Sequence, residues 1–173
     1  TTDLQVMDTA AVNAPIRSLF SSSFFGQFFS PSVMNEAWCE FVIPQDIALA
    51  TKVYQHIYTV PSNSASGVVR WGISYLLAKG HGQQSFDVSP TTVYIEQTIP
   101  VDSARKPLVA EVNVADALLS SNIEPGSALM CRIFRDAEHV NDTYQHDIHA
   151  KVAGLFYMRG RIGTRNRSPN FFS

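Results

Sequence analysis

The sequence predicts an all-β chain, an antiparallel β-sandwich, on three observations. Apolar residues recur with a period of two in run after run, which puts alternate side chains on one face of an extended strand. Turn chemistry separates the runs: the serine-rich Pro61 to Gly67, the polar Asp102 to Pro107, Pro125-Gly126 and Asn141-Asp142-Thr143. Only one stretch, Ala115 to Ser121, reads as a helical turn. Short strands with many turns and almost no helix are the signature of a sandwich.

In chain order, residues 1–35 read as an arm before the body. Ser21 to Ser23 and Ser30 to Ser32 flank Phe24-Phe25-Gly26-Gln27-Phe28-Phe29, where phenylalanine fills four of six positions in a stretch without charge. Each ring is worth roughly 1.5–3 kcal/mol on full burial, so the segment must land on something. Two landings are open, the chain's own sandwich as an extra strand or helix, and a neighbouring subunit. The body supplies seven strand candidates. Residues 37–43 place Ala37, Cys39, Phe41 and Ile43 on one face, and residues 52–60 put Tyr54, His56, Tyr58 and Val60 together. Residues 68–79 carry Trp71 and Tyr75, and residues 91–97 and 108–114 follow. Residues 129–136 and 148–159 read as a closing hairpin around the loop at Asn141, with Ile148, Ala150, Val152, Gly154, Phe156 and Met158 in one alternating series.

The closing segments resemble β-jelly-roll domains of virion proteins from tailed bacteriophages, such as capsid cement or decoration proteins, head fibres and tail-fibre tips. The residues that carry the resemblance are Pro125-Gly126, the strand ending Arg132-Ile133-Phe134-Arg135-Asp136, the loop with Asp142-Thr143, and a last strand ending in Phe156-Tyr157. In the front half the matching order is Trp38, Phe41, Pro44 and Asp46, a serine-rich turn, then Val69 to Tyr75. The likeness covers roughly residues 36–159. It implies a sandwich of jelly-roll type, a non-catalytic structural role in a virus particle, assembly in the host cytoplasm, and a homo-oligomer, with a trimer favoured.

Composition agrees with a chain built for contact. Charged residues make up 16%, below the ~25% usual for globular chains, while aromatics reach 11%. Depletion of charge with enrichment of aromatic residues is the mark of interface cores. Charge is also lopsided: residues 148–173 contain Lys151, Arg159, Arg161, Arg165 and Arg167 and no acid, against eight basic and fifteen acidic residues before them. Residues 160–173 therefore read as a basic tail with an apolar end, Phe171-Phe172, suited to an acidic protein surface. Nucleic acid is the less expected partner of that tail.

The polar residues offer little catalytic promise. His139, His146 and His149 invite a metal, but His146 and His149 lie three apart and would point to opposite faces of a strand. Asp136, Glu138, Asp142 and Asp147 gather at one loop, yet paired acid–base work needs a cleft and a fixed separation. Turn capping by Asp142 and Thr143, with Arg135 or Arg132 pairing across, accounts for them more simply. No nucleophile elbow, phosphate loop or dinucleotide fingerprint occurs. Cys39 and Cys131 are expected as buried apolar side chains, with a bridge left open because sequence does not fix their separation. Residues 18–35 are too interrupted by polar residues for a spanning helix of ~20 apolar positions, and Thr1 to Ala14 lacks the pattern of a secretory signal.

The expectation is thus an enzyme-free chain, with neither cofactor nor metal and with no membrane segment. It has an arm (1–35), a jelly-roll sandwich (36–159) and a basic tail (160–173). It binds a major capsid protein or other virion proteins through Phe24, Phe25, Phe28, Phe29, Arg161, Arg165, Arg167, Phe171 and Phe172. The alternative is a fibre-tip or carbohydrate-recognising module using Tyr54, Trp71, Tyr75 and Tyr94 as stacking surfaces, and a third reading is a hydrolase at the acidic loop.

Overall fold

A computed structural model describes residues 2–3, 5–6, 13–21, 24–48, 50–119 and 123–160. The strands are β1 (Thr2–Asp3), β2 (Gln5–Val6), β3 (Ile16–Ser21), β4 (Phe24–Phe29), β5 (Glu36–Val42), β6 (Lys52–Pro61), β7 (Gly67–Ala78), β8 (Thr91–Ile99), β9 (Leu108–Glu111), β10 (Leu118–Leu119), β11 (Ala128–Arg135) and β12 (Ile148–Tyr157). The first sheet runs β10-β6-β12-β4-β3, with β9 also on β6 and β1 on β12, and the second runs β2-β5-β11-β7-β8. Every pairing is antiparallel. Among β4, β5, β6, β7, β8, β9, β11 and β12, taken in that order, the first sheet holds the first, eighth, third and sixth, and the second sheet holds the second, seventh, fourth and fifth. That winding is a jelly roll.

Alternation explains why these residues make strands. In β5, Ala37, Cys39 and Phe41 are buried while Trp38, Glu40 and Val42 are exposed, and β8 repeats the pattern with Val93, Ile95, Gln97 and Ile99 inward. Trp71, Ile73, Ile57, Leu129 and Ile133 fill the space between the sheets. A buried polar relay crosses that space: the Trp71 indole donates to Gln97 Oε1 at 2.9 Å, and Gln97 Nε2 donates to Thr59 Oγ1 at 2.7 Å. Each polar atom thereby keeps a partner away from water. Cys39 and Cys131 are buried free thiols, directly opposite each other on β5 and β11 rather than on opposed sheets.

Three expectations need correction. β11 and β12 do not form a hairpin: β11 pairs with β5 and β7, and β12 with β6, β4 and β1, so the loop 136–147 crosses from one sheet to the other. The crossing is held from inside. The Arg135 guanidinium grips Asp142 through two bonds of 3.0 and 2.7 Å, donates to the carbonyls of His146 and Tyr144, and is itself fully buried. A chain clamped this way folds back over the end of the sandwich instead of onto its own strand. The single alternating series expected along the last strand also fails. Register slips between Ala150 and Val152, with Lys151 the extra residue, so that Ile148, Ala150, Ala153, Leu155 and Tyr157 join the core while Val152 and Phe156 do not. Finally, the stretch 115–121 contains no helix among its described residues. Asn113 Oδ1 accepts from the amides of Ala115 and Asp116 in an Asx turn, and Leu118 then pairs with Val53 as the short strand β10.

The turn at Pro125-Gly126 is as its residues require. The Ser127 amide donates to the Glu124 carbonyl at 3.0 Å and Gly126 holds φ at 80°, a conformation that costs glycine little.

Removing one partner of the buried pair leaves the other charge stranded, a loss of roughly 3–5 kcal/mol. Asp142→Ala should lower unfolding free energy by that amount in urea titration, with Arg135→Ala similar. A change below about 1 kcal/mol, the range of ordinary surface substitutions, would show that the clamp does not hold the crossing.

Candidate interaction surface

The aromatic segment lands on its own chain. β3 and β4 form a hairpin whose β4 pairs with the start of β12, Phe29 opposite Ile148 and Phe28 opposite His149. Asn35 staples the base of this hairpin: its Oδ1 accepts from the Ser30 amide at 2.7 Å and its Nδ2 donates to the carbonyls of Ala14 and Asn13. The Phe29 carbonyl accepts from Arg135 at 3.2 Å, and its ring meets Trp71 edge to face at 5.1 Å.

The four phenylalanines divide accordingly. Phe29 is fully buried in the chain's own core, so it is not open to a partner, which corrects its expected role. Phe28 is half-buried against the His149 ring, 3.4 Å between centroids. Phe25 remains 57% exposed. Phe24 belongs to β4 by its backbone, and its side chain lies outside the described residues, as do Arg161, Arg165, Arg167, Phe171 and Phe172.

β3 closes the first sheet with nothing beyond it among the described residues. Its Ile16 and Leu19 are 68% and 53% exposed on opposite faces of the strand, Ile16 opposite Phe28 and Leu19 opposite Phe25, over whose ring Arg17 lies at 5.4 Å. An edge strand with free backbone groups and exposed apolar side chains is a template for another chain. Proteins ordinarily blunt such edges with charge or proline, and here a single arginine is the only charge on the strand.

On the outward face of the same sheet, His56 and His149 are buried although they point away from the core. Phe156 stacks on His56 at 3.6 Å with Tyr58 at its edge, and the His149 ring occupies the space over Gly26, where a Cβ would sit 2.1 Å from Nδ1. Glycine is required there so that hairpin and imidazole can meet. Burial pushes the pKa of both histidines down to about 4, helped at His149 by the Lys151 charge.

The second sheet presents arginine-capped aromatic rings instead. Arg70 joins Asp136 at 3.0 Å and Glu96 at 2.9 Å while lying 4.2 Å over the Tyr94 ring. Arg132 pairs with Glu36 and lies 4.6 Å over Phe134, whose ring covers Gly72. Of the other candidate stacking residues, Trp71 is core, and Tyr54 and Tyr75 pack half-buried against it. Among the acidic-loop residues, Asp136 and Asp142 are each taken by an arginine, while Glu138 and Asp147 are exposed. Two of the four carboxylates of this loop are therefore committed to arginine pairs.

Sequence reasoning missed the staple at Asn35 and the edge at Ile16 to Leu19. The alternation of Ile16, Arg17, Ser18 and Leu19 carried no face distinction, because all four of these side chains are exposed.

No protein-family model and no curated protein matches the chain. Among solved structures, the carbohydrate-binding module TmCBM61 in complex with β-1,4-galactotriose is similar at TM-score 0.38 and 11% identity, over 78% of this chain and 70% of that one. The module CBM36 in complex with calcium and xylotriose has TM-score 0.38 and 9% identity, over 88% and 93%. A chain of infectious bursal disease virus, Gx strain, has TM-score 0.34 and 11% identity, over 82% of this chain and 37% of that one. Likenesses this distant add nothing to what the strand order already shows about the fold.

Two tests follow from the hairpin. Phe29→Ala should cost roughly 3–5 kcal/mol, the usual loss for a buried ring, whereas Phe25→Ser should stay within about 0.5 kcal/mol; equal effects would mean the two rings are not divided between core and surface. The second is pH. His56 and His149 have folded pKa values below the ordinary 6.5, so the unfolded chain binds their protons more readily. Stability is full above pH 6.5 and should fall as pH drops from there toward 4. Thermal melts of His56→Phe should show a shallower decline over that window, and an unchanged slope would remove His56 as a cause.

Proposed function

We propose that this chain is a non-catalytic structural subunit of a virus particle, of the capsid cement or decoration kind, working through contacts between subunits. The observation that carries the reading is the β3 edge, where Ile16, Leu19 and Phe25 stand exposed on a hairpin that Phe29 and Arg135 hold fast from beneath. A preformed apolar edge binds without first paying for its own ordering, which is what a joint in a shell needs. The low charge content supports the same reading, since interface cores are depleted of charge. The jelly-roll winding is one that capsid domains use, an analogy of fold and no more.

The partners in this reading are further copies of the chain, closed as a trimer, and the major shell protein of the particle. Assembly takes place in the host cytoplasm, whose reducing conditions suit two facing cysteines left as thiols. Arg161, Arg165, Arg167, Phe171 and Phe172 serve contact with protein rather than with genome.

Native mass measurement of the full chain should give a closed oligomer, and Leu19→Asp should lower its number of subunits with an unchanged circular dichroism spectrum. A wild-type chain that stays monomeric would overturn the edge as a joint. Quantitative mass spectrometry of purified virus particles should find the chain in fixed ratio to the shell protein. An oligomer that is absent from particles would overturn the virion role while leaving the joint standing.

A further inference from the structure

A second surface lies at the far end of the other sheet. There Glu40, Phe41, Val42, Phe86, Ala128, Leu129 and Met130 line a groove. Its floor follows from register. Val42, Ala128 and Ala78 stand in one row across β5, β11 and β7, and Glu40, Met130 and Leu76 stand in the next. Two neighbouring alanines leave the first row low, while Phe86, from the loop between β7 and β8, forms a wall. Val42 is 69% exposed and Phe86 40%, so these two side chains present apolar surface to solvent, while Phe41, Leu129 and Ala78 are buried.

The polar contribution is acidic. Glu40 is exposed and carries no ion pair among the described residues, unlike Glu36 four positions earlier, which Arg132 neutralises. Asp87 follows the Phe86 wall and is also exposed, and Lys79 is the nearby base in that loop. An apolar trough with an unpaired carboxylate at one end fits an extended segment that carries aliphatic or aromatic anchors and a cation.

Such a segment exists in this chain. Residues 161–173 contain Arg161, Arg165 and Arg167, no acid, and Ile162, Phe171 and Phe172. The described chain ends at Gly160, whose amide donates to the Asp46 carbonyl at 3.0 Å, and Arg159 pairs with the Asp46 carboxylate. Asp46 is four residues past Val42, a Cα separation of at most ~14 Å, whereas thirteen extended residues span about 45 Å. A segment that long overreaches its own groove and is able to cross to a neighbour. With the exit tied to Asp46, two copies facing one another are able to exchange these segments reciprocally, an isologous arrangement that satisfies both grooves at once.

We propose that the groove at Val42, Ala128 and Phe86 takes the basic, phenylalanine-ended segment 161–173 of a second copy, with Glu40 meeting an arginine. This joint is separate from the β3 edge and does not rest on the virion reading.

The test places the photo-crosslinker benzoylphenylalanine at position 86 of the full chain and mixes nitrogen-14 and nitrogen-15 labelled protein before irradiation. Cross-linked peptides joining position 86 to residues 161–173 with mixed isotopes are expected. Glu40→Lys should lower their yield several-fold, as should the triple variant Arg161→Glu, Arg165→Glu, Arg167→Glu. Mixing those two variants should restore the cross-link, now between the groove of the Glu40→Lys chain and the charge-reversed segment of the triple variant. Cross-links to 161–173 only within one isotope would place the chain's own segment in the groove and overturn exchange. Cross-links to any other segment, or yields indifferent to Glu40→Lys and to the triple variant, would overturn the proposal outright.

Discussion

The buried ion pair of Arg135 and Asp142 is the constraint on which the rest of this sandwich depends. One guanidinium joins the end of β11, the crossing loop and, through the Phe29 carbonyl, the β3–β4 hairpin. A charge taken out of water is costly unless every donor finds an acceptor. Here a bidentate carboxylate and backbone carbonyls supply them, and Asp142 in turn accepts the Arg70 amide on β7. The sheets are thus tied at one end by polar bonds and between their faces by apolar packing. The hairpin inherits its position from both.

That dependence explains what could and could not be read from the residues. Alternation in β5 and β8 is strict because each has one wet face and one dry face, and such strands announce themselves. The β6 strand is buried on both sides over Gln55-His56-Ile57, so its period is blurred, although the grouping of Tyr54, His56, Tyr58 and Val60 survived. The aromatic density of 24–29 was plain in the sequence, but whether it docks at home depends on an arginine more than a hundred residues later. No local pattern carries that information. The partition of β11 and β12 into different sheets was hidden for the same reason, since a turn-rich loop between two alternating runs looks alike for a hairpin and for a crossing.

The two outward faces have different chemistry. On the first sheet histidine is shut beneath aromatic rings, neutral at ordinary pH, with little water to respond to. On the second sheet charge lies on top of the rings, each arginine held by a carboxylate and spread over an aromatic face. Residues such as Glu96, whose carboxyl is held below its ordinary range by the Asn141 amide and by Arg70, fix those guanidinium groups in place. Thus one face is closed by apolar cover and the other by a salt-linked lattice. Among the described residues, the β3 edge and the groove beside Phe86 are two of the apolar places left uncovered.

The register slip at Lys151 bears on how this sequence can change over time. A strand with one supernumerary residue has two halves whose inward and outward positions are out of phase. Exchange of Lys151 for another side chain leaves that phase intact, because the position faces solvent. Loss of the codon leaves it intact too: Ala150, Val152 and Ala153 would then alternate without the extra residue, so Ala153, Leu155 and Tyr157 would stay inward and Val152, Gly154 and Phe156 outward. The gene should therefore accept almost any letter at this site and a gap as well, a tolerance of deletion that a regular strand, where one lost residue turns over every position beyond it, does not have.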